Sequence, residues 1–159
     1  MMSLFKKHSI TGILYLLPLL IFSQKHEEIH WITFEQLDDS LKVKSKKVFI
    51  DFYTDWCVYC KKMDRVVFTK PEVIAKINKE YYAVKMNAEQ KDTISFDGTN
   101  FINKHHKTKR NAIHDIPLLL ASRKGYPFSL PAMVILDENF SVKKRFFEYL
   151  DSKKLLNAL

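Results

Sequence analysis

The spacing of apolar and polar positions divides the chain into a short series of elements. Ile29 to Ile32 suits a brief first strand. Thr33 with Gln36 three residues later is a capping-box signature, and Phe34, Leu37 and Leu41 follow at helical spacing. Residues 34 to about 44 are therefore predicted to form an amphipathic helix. The lysine-rich stretch from Lys42 to Lys47 suits its solvated end, where cations complement the dipole. Val48 to Tyr53 is apolar on both alternating sets except for Asp51, the pattern of a strand covered on both faces. Helical spacing resumes at Cys57 and Cys60 and runs to about residue 79, as one kinked helix or two in tandem. Thr69 and Glu72 around Pro71 form a second capping-box pattern. Tyr81 to Asn87 predicts the next strand. Ala132 to Asp137 and Val142 to Tyr149 predict an antiparallel pair joined by a tight turn near Glu138-Asn139. Asp151 can cap a last short helix bearing Leu155, Leu156 and Leu159.

This order of elements predicts an α/β fold with a mixed central sheet flanked by helices. Ala88 to Leu130 is longer than a crossover needs. Within it Asp97-Gly98 marks a turn, and Asn100 to Lys107 and Ile113 to Ser122 are predicted as helices. The segment 88–130 reads as a helical insertion that decorates the domain near its site.

Composition bounds the picture without deciding it. A chain of 159 residues, 47% apolar with 12 Phe and 7 Tyr, can bury one sizeable core. Its first 23 residues have the form of an export signal: Lys6, Lys7 and His8, then a mostly apolar stretch from Ile10 to Phe22, then the small Ser23. That stretch, interrupted by Pro18, is short for a membrane span, and the competing possibility is an uncleaved anchor. Cleavage would leave a periplasmic or otherwise exported domain of residues 24–159. The formal charge of +8 becomes +6 without the two signal lysines, which suits acidic partners or an anionic surface. No basic stripe interleaved with aromatics points to nucleic acid.

Cys57 and Cys60 are the only cysteines. A bridge three residues apart closes almost no loop and adds little stability, which argues for a working disulfide. At a helix start the pair lies on neighbouring turns, close enough to bridge. The unsatisfied N–H groups there favour a thiolate at Cys57, which is expected to be accessible and to attack a partner disulfide while Cys60 resolves the product. The competing possibility is half of a zinc site. Tetrahedral zinc needs two more ligands, and His105, His106 and His114 have no matching spacing, so no metal is expected.

Three further residues point to the same site. Asp51 is an acid within a core strand, costly unless used or paired. Under the helix start it can exchange a proton with Cys60 through water; the alternative is a structural ion pair with Lys85. Pro131, just before a strand, is placed to be cis and to abut the cysteines, with Pro127 as its rival. Trp56 is either a shield on one side of the disulfide or a plain core aromatic.

Taken together, Asp51-Phe-Tyr-Thr-Asp-Trp-Cys-Val-Tyr-Cys-Lys, Val84-Lys-Met-Asn and Leu130-Pro-Ala-Met-Val-Ile-Leu-Asp resemble the thioredoxin superfamily. More narrowly, Asp55 to Met63 and Val67 to Val73 are similar to the exported C-terminal domain of transmembrane thiol-disulfide interchange proteins and to small exported thioredoxin-like proteins of Bacteroidetes-type bacteria. The resemblance spans roughly residues 30–159 apart from the insertion. It implies a thioredoxin-like fold, Cys57 as the attacking and Cys60 as the resolving thiol, and Asp51 as the buried acid with Lys85 beside it. It also implies Pro131 as the cis-proline, Leu130 before it as a partner-peptide contact, and no cofactor beyond the Cys57–Cys60 disulfide. Val58-Tyr59 departs from the common dipeptides between such cysteines, which leaves the redox potential open.

The expected function is a monomeric thiol-disulfide oxidoreductase that reduces or interchanges disulfides of exported proteins, such as misbridged secreted proteins or apocytochrome cysteines. A separate reducing protein, soluble or membrane-bound, must supply it. The rivals are an oxidase or isomerase, a metal carrier, and a non-catalytic binding module of the same fold.

Overall fold

The computed structural model describes residues 27–159; the expected export signal lies outside them. Its elements are β1 (Trp31–Ile32), α1 (Phe34–Val43), β2 (Lys47–Tyr53), α2 (Val58–Val66), α3 (Pro71–Glu80), β3 (Tyr81–Asn87), β4 (Ile94–Phe96), β5 (Thr99–Phe101), α4 (Asp115–Ala121), β6 (Ala132–Leu136), β7 (Val142–Phe146) and α5 (Ser152–Ala158). The main sheet has the order β1-β3-β2-β6-β7, and β4 and β5 form a separate hairpin. β2 pairs in parallel with β3 and antiparallel with β6, so the sheet is mixed and β2 lies at its centre.

Side chains alternate across a strand, and that alternation divides the core in two. Phe49, Ala83, Met133 and Ile135 face one side with Met63 of α2, Val73, Ile74 and Ile77 of α3, and Leu155 of α5. Val48, Ile50, Phe52, Val84, Val134 and Leu136 face the other with Phe34 and Leu37 of α1 and Ile116 of α4. Asp51 falls in step with Phe49, and Lys85 in step with Ala83. Both therefore point to the side covered by α2 and α3.

The Thr33–Gln36 capping box forms as expected, with Thr33 N–H donating to Gln36 Oε1 at 2.9 Å and Gln36 N–H to Thr33 Oγ1 at 3.2 Å. The helical stretch after the cysteines is two helices, broken at Val67–Lys70 before Pro71. The second expected capping box does not form. Lys70 is the N-cap of α3 and gives no side-chain cap, because Thr69 is still bound to the preceding helix, its hydroxyl donating to Arg65 O at 3.0 Å.

Segment 88–130 corrects the prediction in part. α4 lies where Ile113 to Ser122 predicts a helix, but Asn100 to Lys107 is strand and turn. Asp97 (φ 48°) and Gly98 (φ 68°) both take left-handed backbone, the geometry of a two-residue hairpin turn, and this draws Thr99–Phe101 into pairing with Ile94–Phe96.

Candidate active site

β2 ends at Tyr53, and the chain turns through Thr54–Trp56 into α2. Cys57 is the N-cap of that helix, with its own N–H donating to Thr54 O at 3.1 Å. Its Sγ accepts the N–H of Cys60 at 3.2 Å, where an N-capping oxygen ordinarily sits. Cys57 and Cys60 form a disulfide with Cα atoms 5.3 Å apart, as their spacing on one helix face allows. The expected accessibility is not met in this oxidised form: Cys57 is 4% exposed, because its sulfur is turned inward toward Cys60 and the helix N–H groups. Around the pair stand exposed apolar side chains, Trp56, Val58 and Tyr59.

Beneath α2 lies Asp51, 2% exposed. Burial pushes its carboxyl up to about 7, with the Lys85 ammonium opposing the rise and the Asp64 carboxylate adding to it. Lys85 is the register neighbour of Asp51 across the parallel β2–β3 pair, yet its Nζ stays 3.8 Å from Asp51 Oδ2. It makes its closer bond to Asp64 of α2, and the rings of Tyr53, Trp31 and Phe68 surround it at 5.1, 5.3 and 5.8 Å from their centroids. The cation expected for Asp51 is thus shared, and its weaker share goes to Asp51. Asp64 is the residue that inspection of the sequence misses. A signal was available: it follows Cys60 by four residues, one helical turn along the same face.

Pro131 is cis after Leu130 and buried, and Leu130 is half-buried beside it; β6 follows at once. Pro127 has no cis bond. β6 pairs with β2 so that Met133 is opposite Asp51 and Ala132 opposite Phe52. The site's two strands are thereby adjacent at the end where α2 begins. Trp56 is not a core aromatic. It is 57% exposed, and its Nε1–H donates to Glu89 Oε1 at 3.0 Å. No sequence pattern marks Glu89.

Two of the histidines weighed as metal ligands make other contacts. His114 caps α4, its Nδ1 accepting Ile116 N–H at 3.2 Å while Nε2 donates to Asp92 O at 3.2 Å. His106 Nδ1 lies 2.7 Å from Asn103 O. Among the described residues no group of three or more His, Cys, Asp or Glu could hold a metal ion.

A family model described as a thioredoxin-like domain matches residues 34–139, most of the chain. The protein belongs to the thioredoxin-like domain family. A thioredoxin-like domain bearing a Cys-x-x-Cys disulfide is a thiol-disulfide oxidoreductase, and that is the chemistry of this chain. The chain is 44% identical over 36 residues to the thiol:disulfide interchange protein DsbD 2 of Pseudomonas aeruginosa, and 40% over 42 residues to DsbD of Escherichia coli. These stretches are 23% and 26% of this chain but only 6% and 7% of those longer proteins. Among solved structures, the oxidised C-terminal domain of Neisseria meningitidis DsbD is similar with a TM-score of 0.51 at 19% identity, over 78% of this chain and 87% of that one. A DsbH oxidoreductase gives 0.55 at 16% identity, over 94% and 91%. A thioredoxin of Thermus thermophilus gives 0.56 at 14%, over 82% and 84%. At these identities the structural likeness speaks for the fold alone.

Proposed function

We propose that the protein is an exported reductase that passes electrons from a reducing partner protein to disulfides of other exported proteins. Cys57 is the attacking thiol and Cys60 the resolving one. Asp51 is the proton carrier and Lys85 the cation that tunes it, while Trp56, Leu130 and Pro131 line the approach of the partner peptide.

The observation that carries the direction is the buried carboxyl of Asp51, with its pKa about 7, on the sheet face covered by the helix that holds the cysteines. A carboxylate there opposes the helix N–H groups that favour a thiolate at Cys57, so the reduced pair is less stabilised than the helix start alone would make it. Oxidising members of this chemistry owe their power to a stabilised reduced form. A dithiol without that stabilisation surrenders its electrons readily. The same carboxyl, changing charge near neutral pH, can take or give the proton that thiol exchange moves. The signal-like start of the sequence and the local similarity to DsbD proteins support the exported setting. Among the described residues no helix is long and apolar enough to cross a membrane.

Equilibration of the purified domain with glutathione buffers tests the direction. A reduction potential near about −270 mV supports a reductant, whereas one near about −120 mV makes the protein an oxidant and overturns the proposal. Insulin reduction driven by the reduced protein reads the same direction from rates.

A further inference from the structure

Past the ends of β2 and β3 the chain folds back over residues 87–112 and encloses an open cavity of about 650 Å³. That is within the roughly 300–1,000 Å³ of ordinary ligand pockets. Its walls carry charges of both signs, among them Asp55 and Glu89 on one hand and Lys109 and Arg110 on the other. Asn103 also lines it, itself only 2% exposed. The Asn103 amide is fixed from one end: Nδ2 donates to Ala112 O at 2.7 Å and Gln90 O at 3.2 Å, with Glu89 O at 3.5 Å. The other end, Oδ1, is a buried acceptor with no donor among the described residues. This oxygen is closed off from the cavity, so Asn103 contributes by holding the backbone of the cavity wall.

Two residues link the cavity to the segment just before the disulfide. Asp55 stands two positions before Cys57, and Glu89 holds the indole of Trp56, the residue directly before Cys57. We infer that the cavity is a subsite for the short zwitterionic peptide that flanks a reaction partner's disulfide. Its carboxylate would meet Lys109 and Arg110, and its ammonium Asp55 and Glu89. The polar, charge-balanced lining suits neither an apolar ligand nor a polyanion. A free tripeptide disulfide and a stretch of protein chain share this chemistry.

The inference rests on the reductase proposal. In the reaction, the Cys57 thiolate attacks one sulfur of the bound disulfide and expels the other as a thiolate. Cys60 then attacks Cys57 Sγ, closes the protein disulfide and expels the second thiolate. Two electrons pass to the ligand, and the two protons lost by the cysteines are taken up by the two leaving groups.

Stopped-flow oxidation of the reduced protein by three disulfides tests this: glutathione disulfide, uncharged hydroxyethyl disulfide, and a terminally blocked peptide disulfide carrying Lys and Glu. At least one charged disulfide should react about tenfold faster than hydroxyethyl disulfide, the equivalent of one good contact. Which one does so separates the free tripeptide from the protein segment. In Lys109→Ala/Arg110→Ala, altered only on the exposed loop, that rate ratio should collapse toward one. A ratio near one in the unmodified protein, or one untouched by the double variant, overturns the inference. Titration calorimetry with S-methylglutathione and the S-methylated blocked peptide, which cannot exchange, reads the cavity separately. Should the reduced protein leave all three disulfides intact, the reductase proposal fails. The subsite stands or falls on whether either S-methyl compound binds the unmodified protein and loses binding in the double variant.

Discussion

At the β2–α2 junction, neighbouring residues build the site from local rules. A buried strand ends, Cys57 caps the next helix with its own sulfur, and Cys60 follows at bridging distance. Between residues 88 and 112 the regular elements are a three-residue hairpin pair, and the rest is loop and turn. Two buried side chains hold this loop, one inside it and one just past its end. Asn103 clamps the backbone of residues 89, 90 and 112, and His114 ties the start of α4 to Asp92. One region is set by periodicity and helix-end chemistry, the other by single polar side chains reaching across a loop. The first should therefore fail in its chemistry when altered, and the second in its order.

The sharpest break is Cys57→Ser. If Cys57 is the attacking thiol as proposed, insulin reduction should fall by roughly 10³-fold or more, while the melting curve of the reduced protein barely moves. Persistent turnover would mean that Cys60 or another group is the nucleophile.

Asp51→Asn should slow turnover by about 10²-fold, the scale of a proton-transfer group, and erase a rate transition near pH 7. Its effect on stability has the opposite sign. Burial raises the folded-state pKa above the unfolded one, so the protein is best stabilised below the unfolded pKa and loses that stability as pH rises to about 7. Asn does not ionise. The variant should thus gain roughly 2–4 kcal/mol over the parent at pH 8 and little at pH 4 in urea titrations of the oxidised protein. An equal difference at both pH values would remove ionisation as the cause.

In the other region, Asn103→Ala removes a three-way clamp and should destabilise the loop locally by about 1–3 kcal/mol. Hydrogen exchange should quicken across residues 88–112 and leave the β2 amides protected. Uniform loss of protection throughout the sheet would contradict the division between the two regions.

The smallest effect is the acid response of the α4 cap. Burial lowers the His114 pKa below its ordinary value, so the folded protein prefers the neutral ring. Stability from this group is full above the unfolded pKa and declines as pH falls through it toward the folded one. The protection factor of the Ile116 amide, whose N–H the ring accepts, should fall on acidification, and His114→Asn should flatten that response. A parent protein whose Ile116 exchange shows no added acid sensitivity would refute it.

Legibility in the sequence follows the same division. β2, its lone acid, the cysteine pair, the Thr33 cap and the cis-proline are all readable, because each is a local pattern with one dominant physical meaning. The Asp97-Gly98 turn is readable too, but the strands flanking it are three residues long, too short for alternation to show. Asn100 to Lys107 therefore reads as helix on composition alone. Asp64, Glu89 and Asn103 act through partners far along the chain, and no spacing rule brings them forward. Even Lys85, readable as a partner for Asp51, proves to belong more to Asp64.

The protein's two indoles consequently serve as separate built-in lamps. Trp56 stands in the open beside the sulfur bridge, and Trp31 lies 5.3 Å from the ammonium that divides itself between two acids. Opening of the bridge should change the emission of the first, and movement of charge beneath the helix that of the second. Replacing either by Phe leaves a single-colour recorder, so that electron and proton steps can be timed apart in one molecule without any attached dye.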